Sequence, residues 1–467
     1  MDYFNSSLSQ VVIMGLVFLF IFSAYITIQA FAADMYGEKL GSETEASLYL
    51  SFTFFCFVSP AVTNKVGPKM TMFFGCLGYG CLVAASLFYF ESGSDTKLNW
   101  VVVLGGILNG LGAALLWTAQ GRLIMQYSDG TDNGFLFSIF WALFNLSALV
   151  GGLLTFFYFG ANANDDDDGD DSTGSAGSSA LYIVFLCFIL VGTAGTQLLK
   201  DPEEIKDGGW GGGSKTNLPL LAEETQQTSP TRRRSRSRSR SKSRADKESS
   251  DWFQEMKETI SLFKTRRMVL LFFLFLYTGY NQPYQLTVFG NRIFKRQTNG
   301  LEMIVFYLSE IIGGLYVGSM LDKSLSQRGA AKRCLALFAV VTAASFVLCY
   351  FQELPCAFSD DDNCVKKVNY YDREAIVPTI IYALWGFSDS QIQTYSYWLM
   401  GSLYETGVEQ ARAVGFYKMV QSLGWSVGFF LMPEDVMEPI VQMLCTAACF
   451  AVGLGLALTE LPKENVM

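Results

Sequence analysis

Apolar residues come in long runs along this chain, each ended by a short polar stretch. The runs cover residues 10–33, 46–63, 70–90, 99–121, 134–159, 180–199, 268–290, 302–321, 333–351, 374–400, 412–432 and 437–459. Each is long enough to cross a hydrocarbon core of ~30 Å as a helix. In lipid, such a segment satisfies its backbone groups internally only as a helix. Any single run fits a buried helix of a soluble protein, but the whole series does not. The pattern predicts an all-α polytopic membrane protein with twelve transmembrane helices. The first run is too long for a cleavable signal and lacks a basic flank, so it reads as a retained helix.

Polar residues inside these runs are concentrated in a few of them. Residues 386–398 read "GFSDSQIQTYSYW" and place Asp389, Gln393 and Tyr397 on one helical stripe. The seventh run carries Asn281, Gln282 and Gln285; the fourth carries Asn109, Gln120 and Arg122; the eighth carries Glu310. Polar side chains at membrane depth face protein or water, because lipid exposure is costly. Two readings follow for the stripe at Asp389: the wall of a wet cavity, or a dry hydrogen-bond network that holds helices together.

Residues 201–267 break the apolar pattern. They divide the chain into residues 1–200, a polar linker at 201–267, and residues 268–467. The linker is rich in Gly, Ser, Arg and Glu, a composition that predicts disorder. It includes the run "RRRSRSRSRSKSR" at 232–244. That run suits attraction to anionic lipid or phosphorylation at its serines better than nucleic-acid binding. At its end, Trp252, Met256, Ile260 and Phe263 share a helical face, so 251–267 reads equally as an interfacial helix or a juxtamembrane extension.

Composition removes several function classes. The chain of 467 residues is 51% hydrophobic and 16% charged, and it has no histidine. Histidine-based catalysis and histidine metal sites are therefore excluded. No phosphate-binding loop, paired CxxC spacing or nucleophile–base arrangement occurs, so neither an enzyme nor a cofactor or metal site is expected. Most cysteines lie in apolar runs; Cys356 and Cys364 instead flank an acidic loop and form a candidate disulfide if that loop faces an oxidising compartment. About 15 of the 34 Lys and Arg fall in the linker, which places it in the cytosol. An even helix count on either side then puts both termini there too.

The two six-helix halves match each other at an offset of 276 residues. Gly110 meets Gly386, Phe140 meets Phe416, Trp141 meets Tyr417, Asn145 meets Gln421 and Gly152 meets Gly428. A pair of turns supports the duplication: "PAVTNKVGPK" at 60–69 and "GSMLDKSLSQRG" at 318–329. Both resemble the cytoplasmic turn signature of the major facilitator superfamily. The second keeps Gly318, Asp322 and Lys323. The first keeps Lys65, Gly67 and Lys69 but has Pro60 and Asn64 for the glycine and the aspartate. In such a turn a carboxylate can meet a neighbouring helix N-terminus in one conformational state only. The resemblance implies that helices 1, 4, 7 and 10 line a central cavity, and the polar groups named above lie largely on them.

The segments "GLGAALLWTAQG" (110–121), "SIFWALFNLSALVGG" (138–152), "YWLMGSL" (397–403) and "GFYKMVQSLGWSVGF" (415–429) resemble the Unc-ninety-three-like proteins, the ion-channel regulatory branch of that superfamily. The resemblance implies first a regulatory or escort subunit of an ion channel or receptor in the plasma membrane or an endomembrane. The alternative is a secondary transporter of a small solute or ion, with Asp389 as coupling or substrate charge. Arg122 and Lys418 would then be cationic candidates near the cytosolic ends of their helices.

Overall fold

A computed structural model describes the chain apart from residues 1–5, 31–35, 37, 129–131, 162–178, 206–241, 324–325, 357–365, 432, 434–435 and 463–467. The described residues are almost entirely helical. The first group is α1 (Ser7–Ala30), α2 (Glu38–Phe55), α3 (Ser59–Val66), α4 (Pro68–Glu91), α5 (Asn99–Tyr127), α6 (Asn133–Ala161) and α7 (Ser179–Gly195). The linker contributes α8 (Lys242–Phe263). The second group is α9 (Arg266–Gln282), α10 (Gly290–Ile293), α11 (Arg296–Asp322), α12 (Gln327–Glu353), α13 (Ile376–Leu403), α14 (Gly407–Leu431) and α15 (Pro439–Ala457).

Each expected apolar run falls on helix, but the helices differ in how well they suit lipid. Among the described residues, seven are long and apolar enough to cross a membrane: α1, α4, α5, α6, α11, α12 and α15. α2 and α3 meet the same criterion only as a pair, bent by 59° at the break between them, the shape of a broken span or a re-entrant loop. α13 and α14 have 28 and 25 residues. They are long enough, but Asp389, Gln391, Gln393, Arg412 and Lys418 interrupt their apolarity. α7 and α9 have only 17 residues each; α9 continues through a π-helical turn at Pro283–Phe289 into α10. Proline there removes a backbone donor and widens the ladder instead of ending the helix.

Packing follows from side-chain size. Gly78 of α4 and Gly112 of α5 let two backbones meet, and a Cβ on Gly78 would stand 2.6 Å from the Gly112 Cα. Small residues permit this approach where lipid supplies no hydrophobic drive. α6 packs along α11 and also touches α13, while α14 crosses to α2, α3 and α5. These contacts join the first group to the second. Large apolar side chains such as Leu50, Phe54, Leu190, Ile312, Val340 and Phe430 stay exposed on the outside, a surface suited to lipid. By contrast, every side chain of α13 from Ser388 to Met400 is buried.

Candidate functional site

The centre of the bundle is built around three buried charged side chains. Asp389 is wholly enclosed on α13. Its Oδ1 accepts from Asn281 Nδ2 at 2.9 Å; its Oδ2 accepts from Gln393 Nε2 at 2.7 Å and Gln282 Nε2 at 3.4 Å. Glu310 of α11 takes its donors from the first group: its Oε2 accepts from Trp141 Nε1 at 3.1 Å and Asn145 Nδ2 at 2.6 Å. The two carboxyls face each other closely enough to interact. Lys418 of α14 donates to Gln421 Oε1 at 2.7 Å and lies 4.0 Å from the centre of the Trp117 ring, with Tyr417 and Tyr397 further off.

A cavity opens beside them. It is lined by Tyr25, Tyr49, Trp117, Trp141, Tyr307 and Trp425 among other rings, and by Asn109, Gln282, Glu310, Gln393 and Lys418. Both groups of helices supply its wall. About 100 Å³ is open to the centres of water-sized spheres. One water needs ~10–15 Å³ by that measure, so several fit. Asp389 stands behind Gln282 and Gln393 instead of on the wall. Thus the polar stripe of α13 is partly network and partly cavity lining. Asn109 is buried on the wall, and neither end of its amide has a hydrogen-bond partner. Leaving a buried polar group unpaired costs about 1–3 kcal/mol.

The other sequence-derived candidates fall elsewhere. Tyr397 donates to Gln120 Oε1 at 3.3 Å and stacks on Phe137, outside the cavity wall. Arg122 is engaged at one end of the bundle by Gln126 Oε1, the Thr63 carbonyl and Asn64 Oδ1 at 2.9–3.1 Å. Gln285 is buried in the π-helical turn, and neither end of its amide meets a partner at hydrogen-bonding geometry. Lys418 lies on the central wall, away from the helix end where the sequence put it. Asn109 is on the wall, as its place on the fourth run implied. Sequence reasoning did not single out Trp141 or Asn145 as site residues, although the duplication carried a signal for both. Trp141 and Asn145 donate to Glu310, and their matches Tyr417 and Gln421 donate to Gln393 Oε1 at 3.2 and 3.1 Å.

The two turns sit at the same end as Arg122. Asp322 reaches from α11 to the first turn of α6, where its carboxylate accepts from Gly134 N at 3.1 Å and Phe135 N at 2.5 Å. Gly318 allows this approach, because a Cβ there would meet the Gly134 carbonyl at 2.5 Å. Lys323 is exposed beside it. In the other turn, Gly67 has φ +92° between α3 and α4, and Lys69 donates to the Gln197 carbonyl at 2.8 Å. Lys65 is half-buried. Asn64 donates to Glu255 Oε1 of α8 at 2.7 Å and to the Val408 carbonyl of α14 at 3.5 Å. Glu255 also takes a bidentate pair from Arg412 at 2.8–2.9 Å, and Glu258 takes a further bond at 2.6 Å. α8 therefore lies against protein at its C-terminal half, with Phe263 between Phe57 and Phe416.

Cys356 ends the short turn after α12, while Cys364 lies outside the described residues, as do residues 232–241 of the Arg-Ser run. Among the described residues, no cluster of three metal-ligating side chains occurs.

Comparison with known proteins gives one consistent picture. The family model for the ion channel regulatory protein UNC-93 matches residues 37–454. UNC93-like protein 1 of Arabidopsis thaliana is 24% identical over 94% of this chain and 86% of its own length. UNC93-like protein MFSD11 of Xenopus tropicalis is 24% identical over 91% and 90%, and human protein unc-93 homolog A is 24% identical over 91% and 87%. Among solved structures, the E. coli fucose:proton symporter FucP aligns with a TM-score of 0.60 at 13% identity, covering 98% of this chain and all of that one. The proton:xylose symporter XylE aligns at 0.61 and 12%, covering 98% and 96%. These likenesses show the major facilitator superfamily fold.

Proposed function

The chain belongs to the family of the ion channel regulatory protein UNC-93, and from that premise we propose that it binds a small solute in its central cavity and exposes it alternately to the two sides of a membrane. The observation that carries this reading is the aromatic cavity between the helix groups. It holds an unpartnered amide, Asn109, and two buried charged groups, Glu310 and Lys418. We read that combination of open space, an unpartnered amide on the wall and buried ionisable groups as a binding site. This proposal ranks the two functions in the opposite order to the sequence reading.

In this reading the chain crosses the membrane twelve times as two six-helix halves, with both termini and the linker in the cytosol. The turns at Asn64 and Asp322 then close the cytosolic end. Glu310 and Asp389 are the buried carboxyls available to carry a proton in that cycle. Glu310 is bonded to α6 across the interface, so gain or loss of that proton bears on how the halves meet.

A second reading keeps its place because the family description matches most of the chain. In it the protein is a regulatory or escort subunit, and the central network is helix glue. Proteoliposomes loaded with a pH-sensitive dye separate the two. Transport gives a proton flux that depends on an added solute. Regulation gives none with any solute, together with a channel or receptor that co-purifies in mild detergent.

A further inference from the structure

Lys418 has no carboxylate within ion-pair distance among the described residues. Both oxygens of Asp389 accept from Asn281, Gln282 and Gln393, and Oε2 of Glu310 accepts from Trp141 and Asn145. Its own ammonium has three donors, of which Gln421 takes one. The Trp117 ring stabilises the charge without neutralising it. A buried cation on a cavity wall with spare donors is half of an ion pair.

The other half must come from a ligand, and the wall describes more of it. Asn109, Ala113 and Trp117 stand at successive turns of α5 and all line the cavity. Trp117 is beside Lys418, so Asn109 lies two turns away, ~12 Å along the helix axis. Between them the small Ala113 leaves room, and Tyr49 and Trp425, packed on each other at 5.2 Å, present an aromatic wall to the same cavity. Asn109 offers an unused donor and an unused acceptor.

We infer that the cavity takes a small organic monoanion with a flat apolar body: its carboxylate pairs with Lys418, its body lies against the aromatic wall, and an uncharged hydroxyl or amide at its far end meets Asn109. This deepens the solute-binding reading proposed above and rests on it. The acid end and the neutral end each have one dedicated residue, so they can be tested apart.

The test is equilibrium binding of radiolabelled 4-hydroxybenzoate to the full chain purified in detergent, with unlabelled benzoate and 4-hydroxybenzamide as competitors. The wild type should bind the acid saturably. The benzamide, which lacks the charge, should compete at least tenfold less well, and benzoate, which lacks the hydroxyl, severalfold less well. Lys418→Gln should weaken the acid at least tenfold and leave the benzamide unchanged, which also reports that the variant is folded. Lys418→Arg should restore most of the affinity. Asn109→Ala should erase the difference between 4-hydroxybenzoate and benzoate. Equal competition by acid and benzamide, unchanged acid binding in Lys418→Gln, or no saturable binding at all overturns the inference. Solute-dependent flux of a neutral compound without acid binding would sink the anion class and leave transport standing. Acid binding with the Lys418 dependence but without flux would uphold the site and sink transport.

Discussion

The two turns at one end of the bundle occupy matching places in the sequence repeat but hold the helix groups together differently. At Asp322 the contact is complete in itself: one carboxylate meets two backbone amides at the start of α6, where the helix dipole favours negative charge. At Asn64 the charge is missing, and an amide alone reaches the first turn of α14 at 3.5 Å. There a third element supplies the carboxylate. Glu255 of α8 binds both Asn64 and Arg412. One contact is thus built into the helices, and the other depends on a helix at the end of the linker. A turn that borrows its charge can be altered through the linker without touching the core.

Four changes break or sharpen that contrast. The largest effect belongs to Gly318→Ala, whose methyl would press on the Gly134 carbonyl. Overpacking of this kind costs about 1–3 kcal/mol, and backbone on the opposing side puts this case near the top of that range. A thermal midpoint in detergent equal to wild type would refute the close approach. Asp322→Ala comes next, at about 2 kcal/mol, because it removes an N-terminal cap that is also a charge; the same assay reads it. Glu255→Gln should cost about 1 kcal/mol and leave the midpoint nearly unmoved. Its signature is instead faster tryptic cleavage at Lys257 and Lys264 as α8 detaches, and unchanged cleavage would show that α8 is held by Phe263 alone.

The smallest effect is a pH dependence. The bond from Gln254, and then the one from Arg412, hold the Glu258 carboxyl below its ordinary value. A depressed carboxyl contributes stability above its unfolded value, about 4.3, and loses it as pH falls through the folded value. Cleavage at Lys257 should therefore stay flat from about pH 5 to 8, read with a protease active across that range, and rise only below about pH 4. The side chain is 45% exposed, so solvent screening keeps the change slight.

Much of this was legible beforehand, and the reasons differ by region. Apolar runs gave the helices, since lipid and protein interior both demand them. Asp322 was legible because a turn carboxylate after Gly318 has few other uses. The stripe of Asp389 and Gln393 announced a polar interior by its spacing. What the sequence could not show is how that interior is shared. Glu310 finds its donors on α6, far away in the chain, and only the fold brings Trp141 and Asn145 there. Arg122 looked like a site charge, but it bonds Gln126 of its own helix and the neighbouring turn at Thr63 and Asn64. Lys418 sits near the middle of α14, and which side of that helix meets Trp117 depends on how α14 crosses α5. The bend between α2 and α3 and the π-helical turn at Pro283 left no clear mark in the apolar pattern either.

The central claim is that the buried polar centre moves protons with a solute instead of merely joining helices. The most direct measurement pairs surface expression with proton-coupled flux in reconstituted vesicles, wild type beside Asp389→Asn. The amide keeps the volume, its oxygen can still accept from Gln393 and Gln282, its NH2 can donate to Asn281 once that amide turns over, and the charge is removed. The account predicts near-normal expression and loss of the solute-dependent proton flux. Intact expression with unchanged flux, or lost expression in a protein that never showed flux, would contradict it.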